Sequence, residues 1–431
     1  MPARPPRRDD PVRQRSLREH NLALVLRQVT AAPLPPSRAE IAAATGLTRA
    51  TVSTIVDELI AGGLVAEVRP VSRSGVGRPG TGIVPAGTGP AGLGMEVNVD
   101  YLAVCAVDLT GAVRHRELRH LDQRERTPAQ TWRALAGLAD RAVAAVAELG
   151  LTPAGAVMAV PGLIEADTIR VAPNLGWQQV ALPGPADFPA LRGLDLDVGN
   201  EATLAALGER HATGLRSFLY VSGEIGIGGG IVLDGELFGG SHGWAGEIGH
   251  VTIDPQGPPC HCGARGCLEQ YAGEEAIRAA AGLAADGDRQ APADPAEGSR
   301  AGRAPLAELT DGARAGRAPV LAALERAGTA LGVALSGAVN LLDIATVVLG
   351  GHYAELIDWL RPAIERELSR RVITAAWSPV EVRPSALGAD AAMVGAARAV
   401  VQHILDDPAR FLTTRARPAS GTGTAAPSTL P

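Results

Sequence analysis

The sequence has no long apolar run, no apolar segment near residue 1 and no lysine. Within its 431 residues no apolar run reaches the roughly 18 to 20 residues of a membrane helix, so we expect no membrane span. Residues 1–18 are rich in arginine and proline and lack an apolar segment, so we expect no secretory signal peptide. Arginine supplies all of the strongly basic side chains, which we attribute to a biased genome composition and not to function.

Cysteine is also scarce, with four in the chain, three of which lie between 260 and 267. A cysteine cluster without an export signal indicates a protein of the reducing cytoplasm. The length and the 46% hydrophobic content suffice for two or three globular domains with large cores.

Charge is unevenly distributed along the chain, whose formal net charge is −6. Residues 1–80 carry 12 arginines against 7 acidic residues, a surplus of +5, so the remainder carries −11. A basic head on an acidic body suggests that the head alone meets a polyanion.

The head has the pattern of a winged helix-turn-helix, which we place at 13–84 after a disordered basic tail at 1–12. Apolar residues at helical spacing predict a helix over 15–30. Ser37 and Glu40 form a capping-box signature for a second helix, and Thr48 can cap a third. A short strand and a glycine-rich hairpin follow, which is typical of a wing.

The third helix carries a small, polar and cationic face that fits the major groove of DNA. Its residues are Arg49, Ala50, Thr51, Ser53 and Thr54. In the wing, Arg73 and Arg78 are candidates for contacts with phosphates or the minor groove. The alternative is a three-helix module that binds another protein.

The rest of the chain alternates strands and helices, which predicts an α/β fold. We expect a linker at 85–92, a two-lobed domain at 93–408 with a surface insertion at 283–303, and a disordered tail at 409–431. Two hairpin-plus-helix cycles suggest a duplicated architecture with a ligand cleft between its lobes. A glycine-rich turn at 223–230 either cradles phosphate or lets two backbones pass closely.

A cysteine-and-histidine stretch follows that turn. His250, Cys260, Cys262 and Cys267 have the spacing of a tetrahedral zinc site of the Cys3His type. Glycines between the cysteines allow ligands so close in sequence to converge. The alternative is one disulfide with unpaired cysteines. Glu247 and Glu269 bracket the ligand set, and their alternative role is to cap loops.

The motif at 246–250 followed by Cys-x-Cys-Gly-x-x-Gly-Cys-x-Glu resembles the signature of the ROK family of repressors, open reading frames and sugar kinases. The resemblance covers roughly residues 13–405. The winged helix followed by Gly-Arg-Pro at 77–79 looks like the repressor branch, especially its xylose-repressor-like members. The resemblance implies an actin-like ATPase fold with two lobes.

The resemblance also implies a sugar in the interlobe cleft and one structural zinc ion held by His250 and the three cysteines. The residues that it assigns to the sugar are Asn200, Glu201, Glu247, His250, Glu269 and, with less support, Asn174. Carboxylates suit this task because hydrogen bonds to a charged acceptor are about twice as strong as neutral ones.

Three departures from the kinases of the family favour a regulator. The first phosphate loop should read Asp-x-Gly-Gly-Thr, but Glu96 to Asp100 contains neither the glycines nor the threonine. The second should read Gly-Thr-Gly, but Ile225 takes the place of the threonine. Glu201 replaces the catalytic aspartate, and a misplacement of about 1 Å can cost about a hundredfold in rate. We therefore expect no kinase activity.

The sequence thus predicts a sugar-responsive transcriptional repressor that binds operator DNA as a homodimer or a dimer of dimers and does not bind membranes. One alternative is an ATP-dependent sugar kinase with a DNA-binding head. A second is a regulator that a partner protein releases from DNA.

Overall fold

Three helices and a two-stranded sheet form the head, here defined as residues 14–85. The computed structural model describes residues 14–69, 81–283 and 304–416. The elements of the head are α1 (Gln14–Ala31), α2 (Arg38–Thr45), α3 (Arg49–Ala61), β1 (Val65–Val68) and β2 (Gly82–Pro85). Because β1 and β2 pair antiparallel, the winged arrangement is confirmed. Outside the described residues lie Arg73, Arg78, residues 1–12 and nearly all of 283–303.

Local capping explains where the helices of the head begin. The Ser37 side chain accepts from the Glu40 N–H while the Glu40 carboxylate accepts from the Ser37 N–H, a complete capping box. The Thr48 hydroxyl accepts from the Thr51 N–H at the start of α3. Gly46 turns the chain between α2 and α3 with a φ of 72°, a conformation that favours glycine.

Two five-stranded sheets with the same topology form the body. The first contains β3 (Gly89–Val97), β4 (Tyr101–Asp108), β5 (Val113–His120), β6 (Leu151–Val160) and β10 (Leu196–Asn200), in the order β10-β6-β3-β4-β5. The second contains β11 (Phe218–Gly223), β12 (Ile227–Leu233), β13 (Glu236–Leu237), β14 (Thr346–Gly351) and β15 (Glu381–Pro384), in the order β15-β14-β11-β12-β13.

Strand directions match between the two sheets as well. In each, the first three strands along the chain form an antiparallel meander, and the last two add in parallel on the other side of the first strand. This repetition confirms the duplicated α/β architecture with one lobe around each sheet. A small third sheet in the first lobe, which the sequence did not suggest, contains β7 (Leu163–Glu165), β8 (Thr168–Ala172) and β9 (Trp177–Ala181).

Ten helices among the described residues complete the body. They are α4 (Pro128–Glu148), α5 (Glu201–Thr213), α6 (Glu269–Ala272), α7 (Glu274–Ala280), α8 (Ala304–Arg314), α9 (Ala318–Leu342), α10 (His352–Glu355), α11 (Ile357–Arg371), α12 (Ala391–Asp406) and α13 (Pro408–Ala416). Helices α5 and α12 share one buried cluster with β6 of the first sheet and with β11 and β14 of the second. They therefore join the two lobes.

Backbone-to-backbone packing holds α5 and α12 together. A Cβ on Gly395 of α12 would overlap the carbonyl oxygen of Leu204 in α5, and a Cβ on Gly208 would lie 2.7 Å from the carbonyl oxygen of Ala391. On its other side α12 crosses β3, where a Cβ on Gly94 would overlap the carbonyl oxygen of Met393. Glycine is required at these positions because the backbones approach so closely.

The head shares a core with the first lobe. Its buried apolar cluster includes Tyr101, Ala103, Cys105 and Val107 of β4 and Met393, Val394, Ala397, Val401 and Ile404 of α12. The predicted linker at 85–92 is wrong, because β2 ends at Pro85 and β3 already begins at Gly89. Gly92 is buried against α12, so the connection is limited to residues 86–88.

The predicted disordered tail at 409–431 is also wrong in its first part. Helix α13 occupies Pro408–Ala416, Ala409 is buried, and Leu412 packs against the core of the head. The Leu412 side chain lies where a Cβ of Gly62 would be, at the end of α3. An ion pair of 2.9 Å between Arg410 and Asp195 ties the same helix to the first lobe. Residues 417–431 lie outside the described part.

One further expectation needs correction. The glycine-rich turn predicted at 223–230 is shorter, because β12 begins at Ile227 and pairs with β11 through its glycines. Among the described residues, α9 is long and apolar enough to cross a membrane by length and composition alone. Its most apolar window is 56% buried inside the protein, and its inner face belongs to the core of the second lobe.

Candidate functional site

An interlobe cleft lies where the turns that follow the first-lobe strands meet the β11–β12 turn. It encloses about 730 Å³, including space open to solvent. The six residues that the family resemblance assigned to a sugar, Asn174, Asn200, Glu201, Glu247, His250 and Glu269, all line it. The structure thus brings together residues from distant parts of the chain.

Asn200 has a structural role that the sequence analysis did not foresee. Its Oδ1 accepts from the Thr203 N–H at 3.1 Å and so caps α5, while its Nδ2 donates to the carbonyl oxygen of Gly162 at 3.1 Å. The side chain therefore holds the N-terminus of α5 against the turn that follows β6. Its remaining N–H and lone pair are free for a ligand.

Asn174 and Glu269 converge over the β11–β12 turn. A Cβ on Gly226 would overlap the Asn174 amide and lie 2.7 Å from Glu269 Oε2. The backbone N–H of Ile227 donates to the same Glu269 oxygen at 3.2 Å. Glycine at 226 therefore lets both polar side chains reach one point in the cleft.

A second acidic group lies where the β3–β4 turn meets the β11–β12 turn. Asn98 Nδ2 donates to Glu224 Oε2 at 2.5 Å, and both residues line the cleft. Behind them, the Tyr101 hydroxyl donates to Glu96 Oε1 at 2.5 Å. His352 Nδ1 lies 2.9 Å from a carboxylate oxygen of Glu274, a pair that the sequence analysis missed because no motif marks it.

Burial and mutual repulsion disfavour the ionised form of these carboxyl groups. Burial, with repulsion from Glu224, raises the pKa of Glu96 to about 8 and that of Asp100 to about 7. The same causes raise the pKa of Glu201 well above its ordinary value. Burial alone would lower the pKa of His352, but its hydrogen bond with Glu274 and attraction to that carboxylate raise it to about 9.

The raised pKa of Glu96 predicts a pH-dependent stability. Its folded-state pKa of about 8 exceeds the ordinary value of 4.5. The contribution of Glu96 to the free energy of unfolding is therefore complete below about pH 4.5 and is lost as the pH rises to about 8. We expect Glu96→Gln to make the fall in unfolding free energy shallower over this window, by up to about 1.4 kcal/mol per pH unit. Chemical denaturation at a series of pH values measures the slope.

Glu148→Gln is the matched control for that experiment, because Glu148 is exposed at the end of α4. It should leave the pH slope unchanged. Identical slopes for Glu96→Gln and the unsubstituted protein would contradict the assignment of this titration to Glu96.

Trp244 connects the two lobes at the cleft. Its indole N–H donates to the carbonyl oxygen of Ile164 in β7 at 2.9 Å, and the His242 ring stacks on it with centroids 4.9 Å apart. This contact was not predicted from the sequence. A tryptophan within a glycine-rich loop was the one available signal, because buried indole N–H groups usually have a partner.

The predicted metal ligands form one cluster. The candidate ligand atoms of His250, Cys260, Cys262 and Cys267 all lie within 4.8 Å of one another. Cys262 and Cys267 have their sulfurs 3.7 Å apart, and Cys260 Sγ lies 3.8 Å from His250 Nδ1. Bonds of about 2.3 Å to a tetrahedral zinc ion place two sulfurs about 3.8 Å apart, so the residues fit this ion.

The disulfide alternative does not agree with the structure, because all four cysteines are free and a disulfide needs sulfurs about 2.05 Å apart. A metal ion here would also position the cleft residues. Glu247 immediately precedes the turn Ile248–His250, and Glu269 begins α6 two residues after Cys267. Gly249 packs closely against the backbone of Ile227 in β12, so the loop lies on the cleft strand.

The predicted DNA-reading face lies on the outside of the head. Arg49, Ala50 and Thr54 are exposed, and Thr51 and Ser53 are half-buried. The hydroxyl of Thr51 contacts that of Thr48 at 2.8 Å, and the Thr54 hydroxyl donates to the carbonyl oxygen of Ala50 at 3.1 Å. Arg49 is therefore the side chain of this face with the most hydrogen-bond donors.

Comparisons with known proteins agree with both parts of the structure. Residues 92–403 match the model of the ROK family, and residues 23–74 match the model of the MarR family. The chain is 29% identical over 376 residues to the xylose repressor of Bacillus subtilis (strain 168), covering 86% of this chain and 92% of that one. It is also 32% identical over 249 residues to a glucokinase of Halalkalibacterium halodurans, covering 56% of this chain and 74% of that one.

Among solved structures, a ROK family transcriptional regulator described as a homolog of the E. coli MLC protein superposes with a TM-score of 0.72. It is 24% identical, with coverage of 93% of this chain and 99% of that one, and so supports the fold of head and body together. The family match extends over both lobes and includes the cleft and the cysteine cluster. This protein is therefore a member of the ROK family, with a MarR-like winged helix at its N-terminus.

Proposed function

We propose that this protein is a sugar-responsive transcriptional repressor, with operator DNA bound by its head and a sugar bound in its interlobe cleft. The observation that carries the proposal is the continuous packing from cleft to head. Asn200 and Glu201 begin α5 in the cleft, α5 packs on α12, and α12 contributes to the core of the head. The similarity to xylose repressors over most of the chain supports this proposal.

The DNA contacts that we propose lie on α3 and in the wing. Arg49 is suited to read guanine, while Ala50 and the methyl groups of Thr51 and Thr54 are suited to thymine methyls. Ser53, which is half-buried, would contact DNA from the edge of this face. We assign Arg73 and Arg78 to backbone phosphates. A homodimer or dimer of dimers would present two such helices to a palindromic operator in the cytoplasm.

The sugar contacts that we propose come from Glu201, Glu247, Glu269 and Asn174, with smaller parts for Asn200 and for the second ring nitrogen of His250. Carboxylate oxygens accept from sugar hydroxyls. A structural zinc ion on His250, Cys260, Cys262 and Cys267 would fix the loop that carries Glu247 and Glu269. That role is one of preorganisation.

We further propose that the protein is not a kinase, although glucokinases are among its relatives. Asp100 takes the place of the threonine at the first turn where a kinase would bind phosphate, Glu224 precedes the second, and Ile225 offers no hydroxyl. The side chains that replace the glycines and the threonine would crowd a phosphate group, and any ionised carboxylate among them would also repel it. Glu201 would also hold its carboxylate about one methylene away from the position of the usual aspartate.

The proposal predicts that a bound sugar weakens operator binding. A sugar identified by thermal-shift screening, since a bound ligand stabilises the native state, is added at saturation to protein bound to an operator obtained by site selection. We expect operator affinity at fixed salt to fall at least about tenfold, which requires about 1.4 kcal/mol of differential sugar affinity. Fluorescence anisotropy measures it.

Arg49→Ala is the control, because it should lose operator affinity while keeping its stabilisation by the sugar. An operator affinity that a saturating sugar leaves unchanged would contradict the proposal and favour release by a partner protein.

A further inference from the structure

The end of the proposed DNA-reading helix lies between two elements of the body. Helix α3 ends at Ala61, and Gly62 and Gly63 follow it. On one side, the Leu412 side chain of α13 occupies the place that a Cβ of Gly62 would take. On the other side, a Cβ on Gly89, the first residue of β3, would lie 3.0 Å from the carbonyl oxygen of Gly63. The orientation of α3 is therefore set by contacts outside the head.

The connection between head and body is short and is held from both sides. The three residues between β2 and β3 can span at most about 10 Å. The N–H of Ala86 donates to the carbonyl oxygen of Leu64 in the head at 3.0 Å. The Arg114 guanidinium of β5 donates to the carbonyl oxygen of Gly87 at 2.9 Å and pairs with the buried Asp108 carboxylate at 2.8 Å. Such a connection does not act as a free tether.

Helix α13 is itself anchored to the body. Asp407 alone separates it from α12, and Ala409 is buried in the core that the head shares with the first lobe. Leu412 packs against the same core. The ion pair of Arg410 with Asp195 adds little, because both side chains are exposed. The contact of Leu412 with the end of α3 thus joins the head to a fixed part of the body.

A pivot of the head would expose apolar surface. The shared core contains Leu59 and Val65 from the head together with Val107 of β4 and Ile404 of α12, and each of these side chains is at most 5% exposed. Units of one chain usually move relative to each other unless their interface is large and hydrophobic. Because this interface is hydrophobic and closely buried, its opening is opposed by the hydrophobic effect.

We infer that Leu412 and Arg114 are positioning residues for operator recognition, which fix α3 on the first lobe so that the protein accepts one spacing between the two halves of its operator. This inference rests on the proposed function and specifies how operators are selected. In a dimer with fixed heads, the bodies set the distance and the angle between the two reading helices. Heads on flexible tethers would instead adjust to several spacings.

The test measures the affinity of the full-length protein for a series of operators by fluorescence anisotropy. Two half-sites obtained by site selection are joined at the selected spacing, or with two or five base pairs inserted, which rotate one half-site by about 70° or about 175°. We expect each insertion to weaken binding at least about 100-fold, because only one head can then engage. Equal affinity across the series would overturn the inference while the proposed DNA binding stands. Binding to no member of the series would contradict that function itself.

Leu412→Ala should relax the selectivity for spacing. It removes the side chain that packs on Gly62, so we expect the penalty for a two-base-pair insertion to become at least about tenfold smaller. Leu412→Met has a similar side-chain volume and should keep the full penalty. A lower stability alone would weaken binding to every operator by the same factor, which leaves the penalty unchanged. A full penalty in folded Leu412→Ala would therefore refute the positioning role.

Arg114→Gln provides a second measurement that does not depend on α13. It removes the guanidinium that holds the Gly87 carbonyl oxygen but keeps an amide donor for Asp108, and we expect the penalty to become at least about threefold smaller. Arg133→Gln, exposed on α4, is the matched control and should leave the penalty unchanged. If Leu412→Ala does not fold, a full penalty in Arg114→Gln would overturn the inference.

Discussion

Cys262→Ser should remove bound metal and most of the sugar affinity together. Cys262 is the exposed member of the cluster, and its sulfur lies 3.7 Å from that of Cys267. A serine hydroxyl is a poor substitute for a thiolate at a zinc site. Without the ion, the loop that carries Glu247 and Glu269 is no longer fixed, so we expect zinc content to fall from about one per chain to near zero and sugar affinity to fall at least about tenfold.

The metal is measured by atomic absorption on protein purified without chelator, and sugar affinity by calorimetry on the same sample. Cys105→Ser is the matched control. Cys105 is buried in β4, outside the cluster, and its thiol donates to the carbonyl oxygen of Met393 at 3.2 Å. A serine hydroxyl keeps that donor, so zinc content should be unchanged. Full sugar affinity in zinc-free Cys262→Ser would separate the metal from the cleft and disprove its positioning role.

Gly395→Ala should destabilise the body more than any other single change proposed here. The added methyl group would overlap the backbone of Leu204, which a rotamer change cannot relieve, so α5 and α12 must move apart. We expect a cost of about 3 kcal/mol or more, which corresponds to a fall of at least about 5 °C in the apparent melting temperature. Because α5 begins in the cleft, the response of operator affinity to sugar should weaken as well.

Gly337→Ala is a close control, since Gly337 also lies within a long helix, α9, but a Cβ there would meet no atom within 4 Å. Alanine has a better helix propensity, so this change should leave the melting temperature unchanged or raise it slightly. Equal melting temperatures for the two variants, in differential scanning calorimetry at one pH, would show that α5 and α12 can separate without cost.

Local sequence patterns were sufficient to predict the features that depend only on residues close together in the chain. The caps of Ser37 and Thr48 are where the sequence placed them, and the metal cluster follows from four residues within a short stretch. The cleft residues were found because they belong to a family motif. Their convergence depends on a strand order that no single stretch of sequence reveals.

The errors all concern long-range packing. The glycines after Gly226 were predicted to form a turn, but they lie in β12. Glycine occurs in this strand because Ala202 and Ala206 of α5 leave no space for larger side chains there. Residues 409–416 were predicted to be the start of a tail because the surface that orders them, at the end of α3, belongs to the opposite end of the chain. The pairing of His352 with Glu274 likewise joins two helices through space alone.

The contact of Leu412 with Gly62 has a consequence for how such proteins can be recombined. A chimera that joins this head to the body of a relative would carry Gly62 but not its matching Leu412. The boundary of an exchangeable DNA-binding unit is therefore discontinuous, with one part at 14–85 and the other at 408–416. Exchange of both segments together would preserve the packing between the end of α3 and α13.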